Sequence, residues 1–226
     1  MTLSADWAAL SRGLTEVLHP TAPPLAITFS DAPPPGVART ESQPVAGCVF
    51  WMRGVDSTFT TVEEDHEGCS VGSVTHGFKG LPDVAQNDDI AALLESGWVT
   101  PEMVPRIPVV SEKPGAVTYG PLADTPVDPD VVLVRLTAKS LMVLSDAVPG
   151  LRIEGKPQCH IVAIAKEQGE IAASVGCMLS RVRTQMPSTE MTCAIPAAKL
   201  ADLVESVRHT AEIDAVVARY AAAQLA

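Results

Sequence analysis

Cysteines are the side chains of this sequence best suited to chemistry. Four of the five form two pairs, one in each half of the chain, with 20 residues between Cys48 and Cys69 and 17 between Cys159 and Cys177. Thiolates are soft ligands, and tetrahedral sulfur sites bind iron–sulfur clusters or zinc. The C-x2-C pairs that mark zinc ribbons and ferredoxins are absent, so ordinary buried cysteine is the competing interpretation. Cys193, before Ala-Ile-Pro, is predicted to be a core strand residue.

The acidic segment around Cys69 favours a bound cation. It reads EEDHEGCSVGS over residues 63–73. Acids disfavour a thiolate, so a bare reactive thiol is poorly placed here, whereas a metal ion deprotonates a coordinating thiol whatever its neighbours. His66 is a second candidate in the segment, as a ligand or a proton carrier. His76 is predicted to lie on the surface.

Two arginines follow Cys177 in an otherwise acidic chain, in the segment SVGCMLSRVRT at 174–184. A guanidinium binds a carboxylate or phosphate through two parallel hydrogen bonds, so Arg181 is a candidate for orienting an anionic substrate. The alternative is a salt bridge from Arg181 to Glu190 or Asp65. No Walker loop, dinucleotide fingerprint, zinc-protease helix or Ser-His-Asp order is present.

Composition narrows the function classes. The chain has 226 residues, 46% of them apolar and 19% charged, with a net charge of −11. That charge repels nucleic acid and anionic lipid. The first 18 residues lack the pattern of a secretory signal, and no apolar run is long enough to span a bilayer. We therefore expect a soluble cytoplasmic protein with reduced cysteines, a small-molecule substrate, and no nucleic-acid or membrane partner. The sequence is also compatible with a homodimer.

Apolar periodicity predicts an α+β fold, a mixed sheet with flanking helices. The predicted helices are 4–18, 45–54, 84–96, 138–147 and a long C-terminal helix over 197–225. The predicted strands are 25–29, 57–62, 107–110, 116–120 and 130–136, and the segment 159–165 fits either type. The C-terminal helix is predicted to bury one side along its whole length, Tyr220 included.

The two halves of the chain follow a similar order. In each, a strand is followed by a first cysteine, an apolar stretch, a β-rich piece and a Gly-Cys pair, which is Gly68-Cys69 in one half and Gly176-Cys177 in the other. This order predicts one domain over 1–226, made of two pseudo-symmetric αβ halves. The halves are 1–96 and 130–226, joined by a proline-rich segment at 97–129.

Several of these motifs together resemble an uncharacterised family, domain of unknown function 169. They are PPLAITF at 23–29, the Gly47-Cys48 pair, the acidic segment ending in Cys69 and PDVVLV at 129–134, then Cys159, SVGCMLSR at 174–181, Glu190-Met191 and AIP at 194–196. The resemblance implies that Cys48, Cys69, Cys159 and Cys177 act as a set. It places Arg181 and Glu190 near them in the pattern.

Three functions fit these residues. The first is a cytoplasmic iron–sulfur enzyme in which Cys48, Cys69, Cys159 and Cys177 supply the ligands of a [4Fe–4S] cluster. If three of them ligate, the fourth iron stays open and acts as Lewis acid in lyase or desulfidase chemistry on a small anionic substrate. There Arg181 orients the substrate, and His66 or Glu190 handles protons. If all four ligate, the cluster is closed, which favours electron transfer or sensing. The second is a non-catalytic carrier or sensor that binds a metal such as zinc, a haem or another ligand. The third is a metal-free cysteine enzyme that uses Cys177.

Overall fold

The fold was analysed in a computed structural model, which describes residues 5–225. Its helices are named α1 to α9 in chain order. They are α1 Trp7–Leu18, α2 Gly47–Arg53, α3 Ser70–Thr75, α4 Leu81–Val84, α5 Asp88–Glu95, α6 Ala138–Ala147, α7 His160–Ala163, α8 Met178–Thr184 and α9 Leu200–Ala223. The predicted start of α1 at residue 4, and Ala226, lie outside the described residues.

Seven strands form one mixed sheet within the described part of the chain. They are β1 Leu25–Ser30, β2 Phe59–Thr61, β3 Ala116–Pro121, β4 Val131–Thr137, β5 Arg152–Glu154, β6 Ala172–Ser174 and β7 Glu190–Pro196. Their order across the sheet is β2-β3-β1-β4-β7-β6-β5. β5 and β6 pair in parallel, and the other neighbouring pairs are antiparallel. The predicted α+β class, with its mixed sheet and long C-terminal helix, is confirmed.

The sheet is covered on both faces, which explains why its central strands are apolar without alternation. Along β4, Val131 and Leu133 pack with residues of α2, α3 and α7 on one face. Val132 and Val134 pack with α1, α6 and α9 on the other. Successive side chains of a strand point to opposite faces, so one run of valines and leucines serves two cores. Cys193 on β7 belongs to the α1–α6–α9 side and is fully buried, as predicted.

The strand order repeats about the β1–β4 pair. Outward from that pair, one side reads β1-β3-β2 and the other reads β4-β7-β6, with β5 added at the edge. In both sets the outermost strand of the three is followed in sequence by a Gly-Cys pair and a short helix, α3 after β2 and α8 after β6. The proline-rich segment 97–129 supplies β3, so it completes the sheet rather than only linking two parts.

Three local predictions were wrong. IPVV at 107–110 forms no strand, because a short apolar run between prolines does not select one conformation. The segment 84–96 is not one helix, because α4 ends at Val84 and α5 begins only at Asp88. Its Leu94, predicted to be buried, is exposed. The second half of α9 extends past the sheet, so Val216, Val217 and Tyr220 are exposed rather than buried.

No helix in the described range 5–225 is both long enough and apolar enough to span a bilayer.

Candidate four-cysteine site

Four cysteines meet at one place. Cys48, Cys69, Cys159 and Cys177 all line a pocket of about 20 Å³ on the α2–α3–α7 side of the sheet. They are free thiols. Each comes from the start of a different short helix: Cys48 is the second residue of α2, and the others immediately precede α3, α7 and α8. The sequence separation of these residues is large, so only the tertiary fold brings them together. This pocket is called the four-cysteine pocket below.

Two of the thiols cap helices in the same way. The Cys69 sulfur accepts a hydrogen bond from the Gly72 backbone N–H, and the Cys177 sulfur accepts one from the Ser180 N–H, each at 3.4 Å. A side chain that accepts from the third following N–H satisfies one of the free donors at a helix start. The repeated strand order therefore ends, in both sets, in a capping thiol.

The other two thiols are held in their neutral form. Burial raises the pKa of Cys48 to about 12, with further contributions from the neighbouring Cys69 and Cys177 sulfurs. Burial also raises the pKa of Cys159 well above its usual value, and Cys69 adds to this effect. These mutual influences show that the four sulfurs lie within electrostatic reach of one another. A ligand that binds them as thiolates must displace protons.

Arg183 is the cation of the site. It lines the four-cysteine pocket, is half-buried, and lies within electrostatic reach of the Cys69 sulfur. Burial lowers the pKa of Arg183, but the Cys69 sulfur, then Cys48 and Asp89, raise it by more. Sequence reasoning had named Arg181 instead. The two arginines are two residues apart on α8, about 200° around the helix, so only one of them can face the pocket.

Arg181 and Glu190 lie beside the site, in separate interactions. The Arg181 guanidinium donates hydrogen bonds to the backbone carbonyls of Pro187 at 2.9 Å and Glu190 at 3.0 Å. The Glu190 carboxylate accepts one from Arg135 Nε at 2.8 Å, in an ion pair that is mostly buried. Neither side chain lines the four-cysteine pocket. Both fix the segment that leads from α8 into β7.

A buried polar chain positions Cys177. Gln158 lines the pocket, donates to Thr192 Oγ1 at 3.0 Å and accepts a short hydrogen bond from Ser180 Oγ. Ser180 Oγ in turn accepts from the Cys177 N–H at 3.1 Å. Such a fully bonded buried network holds its members in one geometry. Gln158 was not singled out in the sequence, because a lone glutamine before a cysteine carries no recognisable pattern.

His66 and His76 lie beneath α2, next to the site. Both are buried, so the prediction of a surface position for His76 was wrong. A Cβ added at Gly47, which precedes Cys48, would lie 3.2 Å from the His76 ring and 3.3 Å from His66 Nδ1. His66 Nε2 pairs with Thr61 Oγ1 at 2.9 Å, and His76 Nδ1 with the Gly72 carbonyl at 2.9 Å. His66 Nδ1 and His76 Nε2 have no hydrogen-bond partner.

The acids that precede Cys69 point to other partners. Asp65 binds Arg39 through both its oxygens at 3.0 Å, Glu63 pairs with Lys113 at 2.6 Å, and Glu67 pairs with Lys79 at 3.4 Å. Glu64 also lies 3.5 Å from Arg39, so the four acids share three cations of the protein itself. The sequence argument that Cys69 needs a bound cation to tolerate its neighbours does not hold in the folded chain. The case for a ligand rests instead on the meeting of the four sulfurs.

The site has no preformed metal-binding arrangement among residues 5–225, since no group of three or more His, Cys, Asp or Glu side chains there is arranged to hold a metal ion. The pocket volume of about 20 Å³ is close to that of one water-sized body. The donor set suits a soft metal, but a [4Fe–4S] cluster requires the sulfurs to move apart. In the present geometry the four thiols surround a space too small for a [4Fe–4S] cluster.

Comparison with known proteins adds a family. A family model described as "Uncharacterised ArCR", domain of unknown function 169, matches residues 13–206. The chain belongs to this family. Searches of curated proteins and of solved structures each found no match. The matched range contains all four cysteines of the pocket and Arg183, and it ends within α9, before the exposed half of that helix.

The histidine pair predicts how stability depends on pH. Burial lowers the pKa of His76 from 6.5 to about 4. Burial, and after it the charge of His76, lowers the pKa of His66 well below its usual value. The unfolded chain then binds more protons than the folded one below pH 6.5, so stability falls as pH drops from 6.5 towards 4. His76 alone accounts for about 3 kcal/mol of this loss.

We expect His76→Gln to flatten that pH dependence, measured by urea unfolding at steps between pH 7 and 4. The exposed His209→Gln variant is the matched control and should keep the wild-type slope. An equal slope in the His76→Gln variant and the wild type would show that His76 titrates normally.

Proposed function

We propose that the four-cysteine pocket binds an iron–sulfur centre and that the protein is an enzyme acting there on a small anionic substrate. The observation that carries this proposal is the meeting of Cys48, Cys69, Cys159 and Cys177 in one pocket. Cys48 and Cys69 come from the first half of the chain, and Cys159 and Cys177 from the second. Structural cysteines of an apolar core have no reason to gather at a surface-connected pocket, whereas soft metal centres require several thiolates at one point.

The surroundings favour a negatively charged centre. Thiolates bound to a metal leave net negative charge on the sulfurs, and this charge needs donors nearby. The Gly72 and Ser180 N–H groups already donate to two of the sulfurs, and Arg183 lies within electrostatic reach of Cys69. The apolar residues around Cys159 exclude water from the deeper side. These features stabilise the deprotonated cysteines once protons have been displaced.

Arg183 is proposed to bind the anionic group of the substrate. It is the cation that lines the pocket, and its half-exposed side chain reaches both sulfur and solvent. An iron–sulfur cluster with one open iron supplies Lewis-acid chemistry when bound. The lyase or desulfidase class predicted from the sequence stays a proposal, as do the proton-transfer roles of His66 and Glu190 and the substrate-binding role of Arg181. His66 reaches the site only through Gly47.

A second function is favoured by one observation, the position of Arg183 in the same pocket as four free thiols. Reactive cysteines of thiol enzymes lie in partly exposed, electropositive surroundings. Three further thiols nearby then serve as partners for disulfide exchange. This thiol chemistry needs no metal, so it competes directly with the iron–sulfur proposal.

Thiol alkylation separates the two functions. Protein purified without oxygen is treated with iodoacetamide before and after chelation of metal, and modification of each cysteine is measured by peptide mass spectrometry. We expect Cys48, Cys69, Cys159 and Cys177 to be protected at first and Cys69 to react several-fold faster after chelation. Cys193 is the internal control, because it is fully buried on the other face of the sheet. Rapid alkylation of Cys69 that chelation does not change would favour the metal-free thiol enzyme.

A further inference from the structure

A large apolar pocket adjoins the four-cysteine pocket. Its volume is about 300 Å³, at the lower end of the range typical of small-molecule sites. It is enclosed by α3, α4, α5 and the segment that follows them. The lining residues are Val71, Val74, Leu81, Pro82, Val84, Ala85, Ile90, Leu93, Leu94, Val99, Val104, Ile107 and Pro157. No polar or charged side chain is among them.

The two pockets share walls. Val71 and Pro157 line both, and each is two residues from a cysteine of the site, Cys69 and Cys159 respectively. A molecule that fills the apolar pocket therefore lies against the wall that carries these two cysteines. The wall formed by α5 is held against α3. Asp89 near the start of α5 accepts hydrogen bonds from the Ser70 N–H at 2.9 Å and from Ser70 Oγ at 2.7 Å.

The lining selects the chemistry of the occupant. Burying a charged or polar group against thirteen apolar side chains leaves that group without a partner, which is costly. Burying a hydrocarbon there is favourable. At a liquid-like volume of about 30 Å³ per water-sized group, the space accommodates roughly ten methylene-sized groups. A charged end must therefore project out of the apolar pocket, and Arg183 is the cation that lines the adjoining four-cysteine pocket.

We propose that the apolar pocket binds the hydrocarbon part of a medium-chain carboxylate whose carboxylate group reaches Arg183. This inference rests on the proposed function, since it names the class of anionic substrate that the four-cysteine site acts on. Asp89 partly offsets the charge of Arg183, so a singly charged carboxylate is favoured over a dianion. The chain length follows from the volume and the head group from the single cation.

Binding of decanoate tests the inference without requiring a metal or a known reaction. Isothermal titration calorimetry is carried out with decanoate, with decanol as the uncharged analogue and with butyrate as the short one. We expect decanoate to bind at least tenfold more tightly than either. Ala85→Trp fills the pocket from its exposed rim and should weaken decanoate at least tenfold. Ala91→Trp, at an exposed position of α5 outside the lining, is the matched control and should bind as the wild type does.

The head group has its own variant. Arg183→Gln should reduce decanoate affinity about tenfold, the usual effect of losing one hydrogen bond to a charged group, and leave decanol unchanged. Equal binding of decanol and decanoate, or no effect of Ala85→Trp, would overturn the inference. Iron bound without decanoate affinity would leave the proposed function standing and remove this inference alone. Decanoate affinity in a chain that binds no iron would leave decanoate binding by the apolar pocket standing and remove the proposed iron–sulfur function.

Discussion

Replacing Cys48, Cys69, Cys159 and Cys177 by serine, one at a time, is expected to lower the iron content of the protein severely in at least three of the four variants, Cys159→Ser among them. A serine hydroxyl is a hard and weakly acidic ligand, so it does not replace a thiolate on a soft metal centre. The effect should exceed that of any other single change at the site, because the four sulfurs are the soft ligands lining the pocket.

The pattern across the four variants also reports the number of ligands. If all four thiolates hold the centre, each serine variant loses iron. If one iron is open to substrate, three variants lose iron and the fourth retains it. Cys193→Ala is the matched control, since Cys193 lies on the opposite face of the sheet and should leave iron content unchanged. Four variants with wild-type iron content would show that the metal binds elsewhere.

The second large effect is expected at Gly68, the residue before Cys69. A Cβ at this position would lie 2.6 Å from the backbone of Val45, a contact that real Cβ atoms do not make. The two backbone segments must separate, and Cys69 and the start of α2 move with them. Overpacking of this kind costs about 2–3 kcal/mol. We expect Gly68→Ala to lower the melting temperature by about 5–10 °C.

Two other glycines serve as comparisons for the stability loss of Gly68→Ala. Gly176, before Cys177, adopts a φ of +85°, a left-handed conformation, so Gly176→Ala should cost about 1–2 kcal/mol through backbone strain. Gly155→Ala should change little, because nothing lies within 4 Å of the added Cβ. Differential scanning calorimetry of the three variants measures all of these effects. A Gly68→Ala variant as stable as Gly155→Ala would show that the contact between Gly68 and Val45 is looser than described.

Much of the fold could be predicted from local sequence. The run VVLVRL predicted β4 because a strand covered on both faces needs apolar residues at every position. The prolines after residue 18 fixed the end of α1. The segment 159–165, which fitted either a strand or a helix, begins the helix α7. Its conformation depended on where it packs, and the sequence contains no local signal for that.

The site was predicted in its cysteines but not in its other members. The pairing of cysteines in two similar halves singled out the four that line one pocket. Arg183 was missed because α8 has two arginines, and the choice depends on the rotation of the helix about its axis. His76 was placed at the surface because a histidine between polar residues gives no sign of burial. The role of the acids near Cys69 was misjudged, since their partners Arg39 and Lys113 are distant in sequence.

The central claim, that the four thiols share an iron–sulfur centre, is tested most directly by iron and acid-labile sulfide analysis of protein purified without oxygen. We predict iron and sulfide in equal amounts, with broad visible absorbance that is lost in the Cys159→Ser variant. A colourless protein that contains neither iron nor sulfide, and that does not take up either on anoxic reconstitution, would contradict the account.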